Sequence, residues 1–157
     1  MAKLSSGPRR GAGFTLLELL TVVAVMALLL AVAAPPMQRL VLAGRMRSAS
    51  SDLMADLVLA RSEAVKRSAQ VEVQPSANGW TGGWTVHTVA GAQQLAQRNK
   101  LGGVAVTTAP TAITFDYDGR VVAAEPVRIG LSDGSLRRCI SVDPSGRPKS
   151  AVADCAP

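Results

Sequence analysis

Apolar and polar positions follow two different helical patterns in the first half of the chain. Residues 14–36 are almost continuously apolar, a run long enough to predict a membrane-spanning helix. Residues 37–68 instead place apolar side chains three and four apart, which is typical of a helix with one face against a core. We therefore predict one long helix that is broken or bent near Pro35 and Pro36 and ends near Ser68. The apolar stripe of its second half consists of Met46, Ala49, Leu53, Leu57, Ala60 and Ala64.

From Ala69 onward the apolar positions alternate with polar ones, which predicts short β-strands. Val71 and Val73 begin this region, and turn signals such as Asn78-Gly79 separate the strands. Consecutive strands joined by short turns pair antiparallel, so the sequence predicts an α+β fold with the helix packed on an antiparallel domain over residues 69–157. Besides Val71 and Val73, the predicted strand segments are 83–87, 104–106, 113–115, 127–129 and 139–142.

Glu18 is the one charged residue within the apolar run 14–36. At the centre of a membrane helix a carboxylate costs roughly 2.5–3.5 kcal/mol, and less nearer an end. An ordinary signal peptide cut after Ala33 and a plain membrane anchor both leave Glu18 without a partner. Cleavage between Gly13 and Phe14 supplies one, because the new α-amino group lies one helical turn before Glu18. In an assembly the amine of one subunit could then pair with the carboxylate of its neighbour.

The order of residues around this position closely resembles the type III signal of type IV pilins and type II secretion pseudopilins. The segment runs from Arg9-Arg10 through Gly13 and Phe14-Thr15-Leu16-Leu17-Glu18 to Pro35. The resemblance implies that residues 1–13 are a leader removed after Gly13 by prepilin peptidase, and that the same enzyme methylates the amine of Phe14. It also implies assembly roles for Glu18 and Pro35. The implied location is the bacterial inner membrane, crossed once, with the C-terminal domain in the periplasm and later in a filament of other pilins.

A second resemblance extends along the rest of the chain. Its most characteristic part is Ala60-Arg61-Ser62-Glu63-Ala64, followed by Gly83-Trp84, by Gly119 soon after the strand 113–115, and by Gly146-Arg147. This order resembles the GspH/FimT branch, which comprises the minor pseudopilin H of type II secretion and the FimT-like minor pilins. It implies a subunit at the filament tip or in filament initiation. The sequence leaves open whether the filament serves protein secretion or a type IV pilus.

The formal charge of +6 divides into two parts. Lys3, Arg9 and Arg10 lie in the leader, where the positive-inside rule holds the N-terminus in the cytoplasm. The mature remainder has a surplus of three basic residues, and the stretch 128–149 has the same surplus. Its basic residues are Arg128, Arg137, Arg138, Arg147 and Lys149, set against Asp133 and Asp143.

Such a basic cluster attracts phosphate backbones without regard to base sequence. Some FimT-like pilins are linked to DNA uptake by a Gly-Arg-x-Arg pattern, and Gly146-Arg147-Pro148-Lys149 matches it in part. Lys149 keeps the charge but lacks the guanidinium fork, and no aromatic residues are interleaved for base stacking. The candidate DNA-binding residues are Arg137, Arg138, Gly146, Arg147 and Lys149. The alternative is a solvated charged turn, or contacts to neighbouring pilins.

Cys139 and Cys155 are the two cysteines of the chain. An even pair in a small domain beyond a membrane segment favours a disulfide in an oxidising compartment, worth about 3 kcal/mol in the chain-entropy model. Two buried free thiols are the alternative.

The remaining candidates for chemistry are weak, and the sequence predicts no catalytic centre, no metal site and no cofactor. His87 is the single histidine, and neither a triad nor a set of metal ligands can be assembled around it. Asp116 and Asp118 fit a calcium loop, but a polar turn explains them equally well. Trp80 and Trp84 are predicted to pack at a hairpin.

Overall fold

The computed structural model describes residues 14–155, apart from the side chains of residues 32–36. Helix α1 spans Leu16–Arg67 and so ends next to Ser68, as predicted. It continues through Pro35 and Pro36, so of the two predicted alternatives the break is wrong. Each proline removes one backbone donor, and the hydrogen bonds of the flanking turns continue the helix.

Within the described residues, no helical stretch is both long enough and apolar enough to span a membrane. The predicted membrane segment, 14–36, includes the five residues whose side chains are not described. The predicted cleavage site includes Gly13, which also lies outside the described residues. The chain divides into two compact units between Gln38 and Arg39.

In the part of the chain that the structure describes, eight strands follow the helix and form two four-stranded antiparallel sheets, which confirms the α+β prediction. The first sheet has the order β3-β2-β1-β5 and the second β4-β6-β7-β8. Strands β3 and β8 were not predicted, because both are largely exposed edge strands without apolar alternation. The strands are β1 Val71–Ser76, β2 Gly79–Thr88, β3 Gln94–Arg98, β4 Ala105–Thr108, β5 Ile113–Phe115, β6 Val127–Ser132, β7 Arg137–Val142 and β8 Pro148–Ala151.

A hydrophobic core of mostly aliphatic side chains joins the second half of α1 to both sheets. The predicted helical stripe is confirmed, since all six of its residues are at most 5% exposed. They share the core with Val71 and Val86 of the first sheet and with Ile129 and Ile140 of the second. Burying each of these four side chains stabilises the fold by about 1.5–3 kcal/mol. The unit that begins at Arg39 therefore has a hydrophobic core of its own.

Strand β1, one of the two central strands of the first sheet, shows the alternation of apolar and polar residues that the sequence predicted. Val71 and Val73 are fully buried, while Glu72 lies between them on the other face. There the Glu72 carboxylate accepts a hydrogen bond from Thr114 Oγ1 at 3.2 Å. His87, directly opposite Glu72 in register, has its Nε2 4.0 Å from Glu72 Oε1. His87 is thus a half-buried cross-strand neighbour of a carboxylate.

The two tryptophans pack together in β2, as predicted. Trp80 and Trp84 are buried, with their ring centroids 6.3 Å apart. The indole N–H of Trp80 donates to the carbonyl oxygen of Pro110 at 2.7 Å. A polar partner for a buried indole is the usual requirement, and this bond fixes the loop before β5 against the hairpin.

Candidate assembly segment and basic face

The start of α1 is closed by the side chain of Thr15. Thr15 Oγ1 accepts a hydrogen bond from the backbone N–H of Glu18 at 3.2 Å, which is the geometry of an N-cap. The spacing Thr-x-x-Glu also places a carboxylate in the first turn, where the helix dipole favours negative charge. Within residues 14–155 the exposed Glu18 side chain has no hydrogen-bond or ion-pair partner.

The first four turns of α1 expose apolar side chains on every side of the helix. Each of the large ones is between 46% and 79% exposed, so no face of this segment is buried among the described residues. A helix that is apolar all round needs lipid or other protein around it. These side chains are Leu16, Leu17, Leu19, Leu20, Val22, Val23, Val25, Met26, Leu28, Leu29 and Leu30.

Three residues that define the second resemblance meet at one point of the structure. Arg61 Nε donates to the carbonyl oxygen of Gly119 at 3.1 Å. Gly146 lies against the same carbonyl: a Cβ on Gly146 would stand 2.0 Å from that oxygen and 3.2 Å from Arg61 Nε. Gly119 has a φ of 78° and Gly146 a φ of 77°, which favour glycine. The contact thus joins α1 to the turns before β8 and after β5.

The sheet register divides four of the five basic residues of the C-terminal region between two faces, and the fifth, Arg147, lies in the turn before β8. Arg128, Ser141 and Lys149 lie opposite one another across β6, β7 and β8, so their side chains share a face. Arg137 lies on that face too, because it is four residues from Ser141 on the same strand. Arg138 lies on the opposite face. The sequence treated these residues as one cluster, and the structure does not bring all of them together.

Arg138 is directed toward the helix side of the second sheet. Its Nη1 donates to Ser150 Oγ at 3.3 Å, and Ser150 Oγ lies 3.1 Å from Ser50 Oγ of α1. Part of the positive charge therefore lies in a polar contact between sheet and helix.

Two of the remaining basic residues are neutralised by carboxylates within the chain. Arg137 Nη1 donates to both carboxylate oxygens of Asp154, at 2.9 and 2.8 Å. Lys149 Nζ lies 3.5 Å from Asp143 Oδ2. Asp154 lies outside the stretch whose charge defined the cluster, so the surplus on this face is smaller than the sequence indicated. Within the described residues, neither Arg128 nor Arg147 has an ion-pair partner.

The turn before β8 is organised around Asp143. Ser145 Oγ and the backbone N–H of Arg147 donate to its carboxylate, and the Lys149 ammonium lies beside it. These contacts, the Ser145 hydroxyl first, hold the pKa of Asp143 below its usual value. The carboxylate thus determines the conformation of the segment that contains Gly146.

The predicted disulfide is present and connects β7 to the C-terminal tail. Cys139 and Cys155 are bonded, with their Cα atoms 5.0 Å apart. Cys139 lies on the same face of the second sheet as Arg137. The tail also provides Asp154, so the disulfide and the ion pair to Arg137 hold the same segment.

Sequence reasoning missed a buried polar network at the helix. Asp56, which is not among the six residues of the predicted apolar stripe, is only 2% exposed. Its carboxylate accepts hydrogen bonds from Trp84 Nε1 at 2.9 Å and from Arg98 Nε at 2.8 Å. The Asp56 hydrogen bond raises the pKa of the Arg98 guanidinium. The spacing of Asp56 from Asp52, one helical turn, gave no sign that only one of them is buried.

The acidic pair near β5 forms a turn. The backbone N–H of Arg120 donates to Asp118 Oδ1 at 2.9 Å, and that of Tyr117 donates to Asp116 Oδ1 at the same distance. In the part of the chain that the structure describes, no group of three or more histidine, cysteine or acidic side chains could hold a metal ion.

Comparison with known proteins agrees with this architecture. Two crystal forms of the type IV minor pilin FimU from Pseudomonas aeruginosa (strain PAO1) resemble the structure. One is 22% identical over 78% of this chain and 100% of that chain, with a TM-score of 0.59. The other is 24% identical over 67% of this chain and 91% of that chain, with a TM-score of 0.54. At these identities the likeness shows the fold alone. No curated protein matches the chain significantly.

The fold and the N-terminal segment together define a type IV pilin-like protein. The family model described as type II transport protein GspH matches residues 49–146, and the prokaryotic N-terminal methylation motif matches residues 8–34. The chain belongs to the GspH family and is a minor pilin or pseudopilin of the GspH/FimT type. This confirms the family to which the sequence was compared, a family of structural subunits and not of enzymes.

Proposed function

We propose that this chain is a minor subunit of a type IV pilus or type II secretion pseudopilus, cut after Gly13 and N-methylated at Phe14. The observation that supports the proposal most directly is the exposure of apolar side chains around the whole of residues 16–30. None of these side chains belongs to the hydrophobic core of the unit beyond Gln38. Their cover must come from another molecule.

In this proposal the subunit lies first in a bilayer and then in a filament. The subunit is held in the inner membrane by residues 14–36, with the domain over residues 69–157 in the periplasm and residues 37–68 as the connecting helix. A periplasmic location suits the disulfide, because such bonds persist in oxidising compartments. On assembly, the same apolar surface packs against other pilins, and the subunit acts in filament initiation or at the tip.

Glu18 is the proposed contact between subunits. Its side chain is exposed and has no partner within the described part of its own chain. The methylated amine of Phe14 in a neighbouring subunit would supply a positive charge, which makes a carboxylate tolerable in apolar surroundings. Pro35, at the end of the apolar run, is the second proposed assembly residue.

Intact-mass spectrometry of the chain after co-expression with a prepilin peptidase tests the processing. The expected species begins at Phe14 and has one added methyl group. A species that begins at Ala34 would overturn the proposal in favour of a secreted periplasmic protein. Glu18→Gln should still be cut but should be lost from purified filaments. The matched control is Asp52→Asn, a half-exposed acid on the same helix, which should be retained.

Gene neighbourhood and filament content separate the two systems. In a secretion operon, deletion of the gene should stop export of folded proteins, while in a pilus operon it should reduce the number of surface pili.

A second candidate function is DNA binding by the outer face of the second sheet. The observation that favours it is the row formed by Arg128 and Lys149, with the exposed Arg147 in the adjoining turn. Three phosphate contacts would give a slope of about −3 for log affinity against log salt on duplex DNA. If the double variant Arg128→Gln/Arg147→Gln binds duplex DNA as tightly as the wild type, this face is not the DNA-binding site.

A further inference from the structure

Beyond the apolar run, α1 has only basic charges until Asp52. They are Arg39, Arg45 and Arg47, and all three are exposed. We propose that these arginines, together with Lys100, bind the phosphate groups of anionic phospholipids at the outer face of the inner membrane. We name the four residues the basic collar. The inference rests on the proposed function, because it requires residues 14–36 to lie in a bilayer.

The fold brings Lys100 close to Arg45, although the two residues are distant in sequence. The loop between β3 and β4 lies against α1, where Arg45 Nη1 contacts the carbonyl oxygen of Gly102 at 3.5 Å. Arg45 and Lys100 line one groove of about 390 Å³. Positive charge from the helix and from the loop therefore occupies the same end of the globular unit.

The acidic residue of this groove is already engaged by other groups. Asp52 Oδ2 accepts from Ser48 Oγ at 3.4 Å, and Asp52 Oδ1 lies 4.0 Å from Arg98 Nη1. Neither contact uses a collar residue. Within the described residues, no carboxylate forms an ion pair with any member of the collar, which leaves four cationic groups for an external anion.

Exposed apolar side chains next to Arg39 favour lipid as the occupant. Leu40 is 68% and Val41 47% exposed, and they occupy the two helix positions that follow Arg39. Basic and large apolar side chains side by side suit the boundary between headgroups and acyl chains, where the cation reaches phosphate and its neighbours enter the apolar layer. A nucleic acid would offer phosphates but no apolar layer, so the pattern fits a membrane surface better.

The distribution of basic residues on the two sides of the apolar run also supports lipid binding. Lys3, Arg9 and Arg10 precede the run, and the three arginines of the collar follow it. Basic residues near the translocated end oppose the positive-inside orientation. After cleavage at Gly13 the basic excess next to the membrane lies wholly on the periplasmic side. Binding of anionic lipid on the periplasmic side would explain why the chain has these arginines although they are unfavourable during insertion.

Native mass spectrometry of the full chain in mild detergent tests the collar. The probes are phosphatidylglycerol and phosphatidylcholine with identical acyl chains. The test variant is R39Q/R45Q/R47Q/K100Q. The matched control, with the same loss of charge outside the collar, is R120Q/R128Q/R147Q/K149Q. Thermal unfolding of both variants checks that they remain folded.

The wild type should bind phosphatidylglycerol at least tenfold more tightly than phosphatidylcholine. Because the collar charges attract the anionic headgroup, the test variant should lose the preference while the control retains it. Equal losses in both variants would overturn the proposal, since net charge alone would then explain binding. Displacement of the lipid by inorganic phosphate or by duplex DNA would also overturn it. The same spectra give the mass of the mature N-terminus, so failed processing and failed lipid binding are distinguished.

Discussion

The indole N–H of Trp84 donates to the carboxylate of Asp56 across 2.9 Å, and both residues are only 2% exposed. Arg98 also donates to this carboxylate, with its Nη2 3.2 Å from Asp56 Oδ1. Three elements meet here, because these residues lie on α1, β2 and β3. The network fixes the edge strand β3, which buries little apolar surface of its own, to the helix.

Asp56→Ala should destabilise the chain by about 2–4 kcal/mol. The substitution leaves the buried indole N–H of Trp84 without an acceptor and removes the partner of Arg98. The cost falls below that of a fully buried ion pair because the Arg98 side chain is 41% exposed and can reach water. Urea unfolding followed by tryptophan fluorescence measures it. Asp52→Ala, one turn earlier and 45% exposed, is the control and should cost less than about 0.5 kcal/mol. Equal costs would mean that the network is not a stabilising contact.

The different fates of Asp52 and Asp56 show what helical periodicity could and could not predict. A period of 3.6 identifies the apolar stripe, and its six residues are buried. It cannot identify a buried carboxylate, because burial then depends on partners elsewhere in the chain. Here the partner is Arg98, 42 residues away in a strand that lacks an apolar pattern. The same reason explains why β3 itself was not predicted.

The basic face shows a similar limit for charge patterns. The sequence could count Arg137 and Arg138 as neighbours, but adjacent residues on a strand point to opposite faces. Asp154 became a partner of Arg137 only through the pairing of β7 with β8 and the disulfide to Cys155. By contrast, the N-terminal motif is local, and its match to a known signal needed no tertiary structure.

Gly146→Ala should destabilise the fold by about 3 kcal/mol. The new Cβ would stand 2.0 Å from the carbonyl oxygen of Gly119, so the turn before β8 must separate from the turn that contains Gly119, and a φ of 77° adds strain. The control is Gly134→Ala, with a φ of 95° but nothing within 4 Å of the new Cβ. It should cost only about 1 kcal/mol, from conformation alone. Equal losses in the midpoint of urea unfolding would contradict the close contact.

Reduction of the disulfide should destabilise the chain by about 3 kcal/mol, the chain-entropy value for a loop of this length. It should also release the tail that contains Asp154, so that Arg137→Ala costs less in the reduced protein than in the oxidised one. Thermal unfolding with and without dithiothreitol measures both effects. A chain in which Cys139 and Cys155 are replaced by serine is the control, and its unfolding should not respond to dithiothreitol. An unchanged Arg137→Ala cost after reduction would show that the ion pair does not depend on the disulfide.

Stability should fall in acid because three carboxyl groups have lowered pKa values in the folded chain. The Arg67 hydrogen bond lowers the pKa of Glu63, the backbone N–H groups of Leu136 and Ser135 lower that of Asp133, and the Ser145 hydroxyl lowers that of Asp143. A depressed folded pKa stabilises the fold above the unfolded pKa, 4.5 for Glu63 and 3.8 for the two aspartates.

That contribution is lost as the pH falls below about 4 and through the folded values, so the urea midpoint should drop steeply there. Asp133→Asn combined with Asp143→Asn keeps the acceptor oxygens but removes two of the titrations, and the pH profile should become flatter. The bonds to Asp133 are local and come from its own turn, so 1 M salt should preserve most of the wild-type slope. A double variant with the wild-type slope would show that these two turns do not cause the loss of stability in acid.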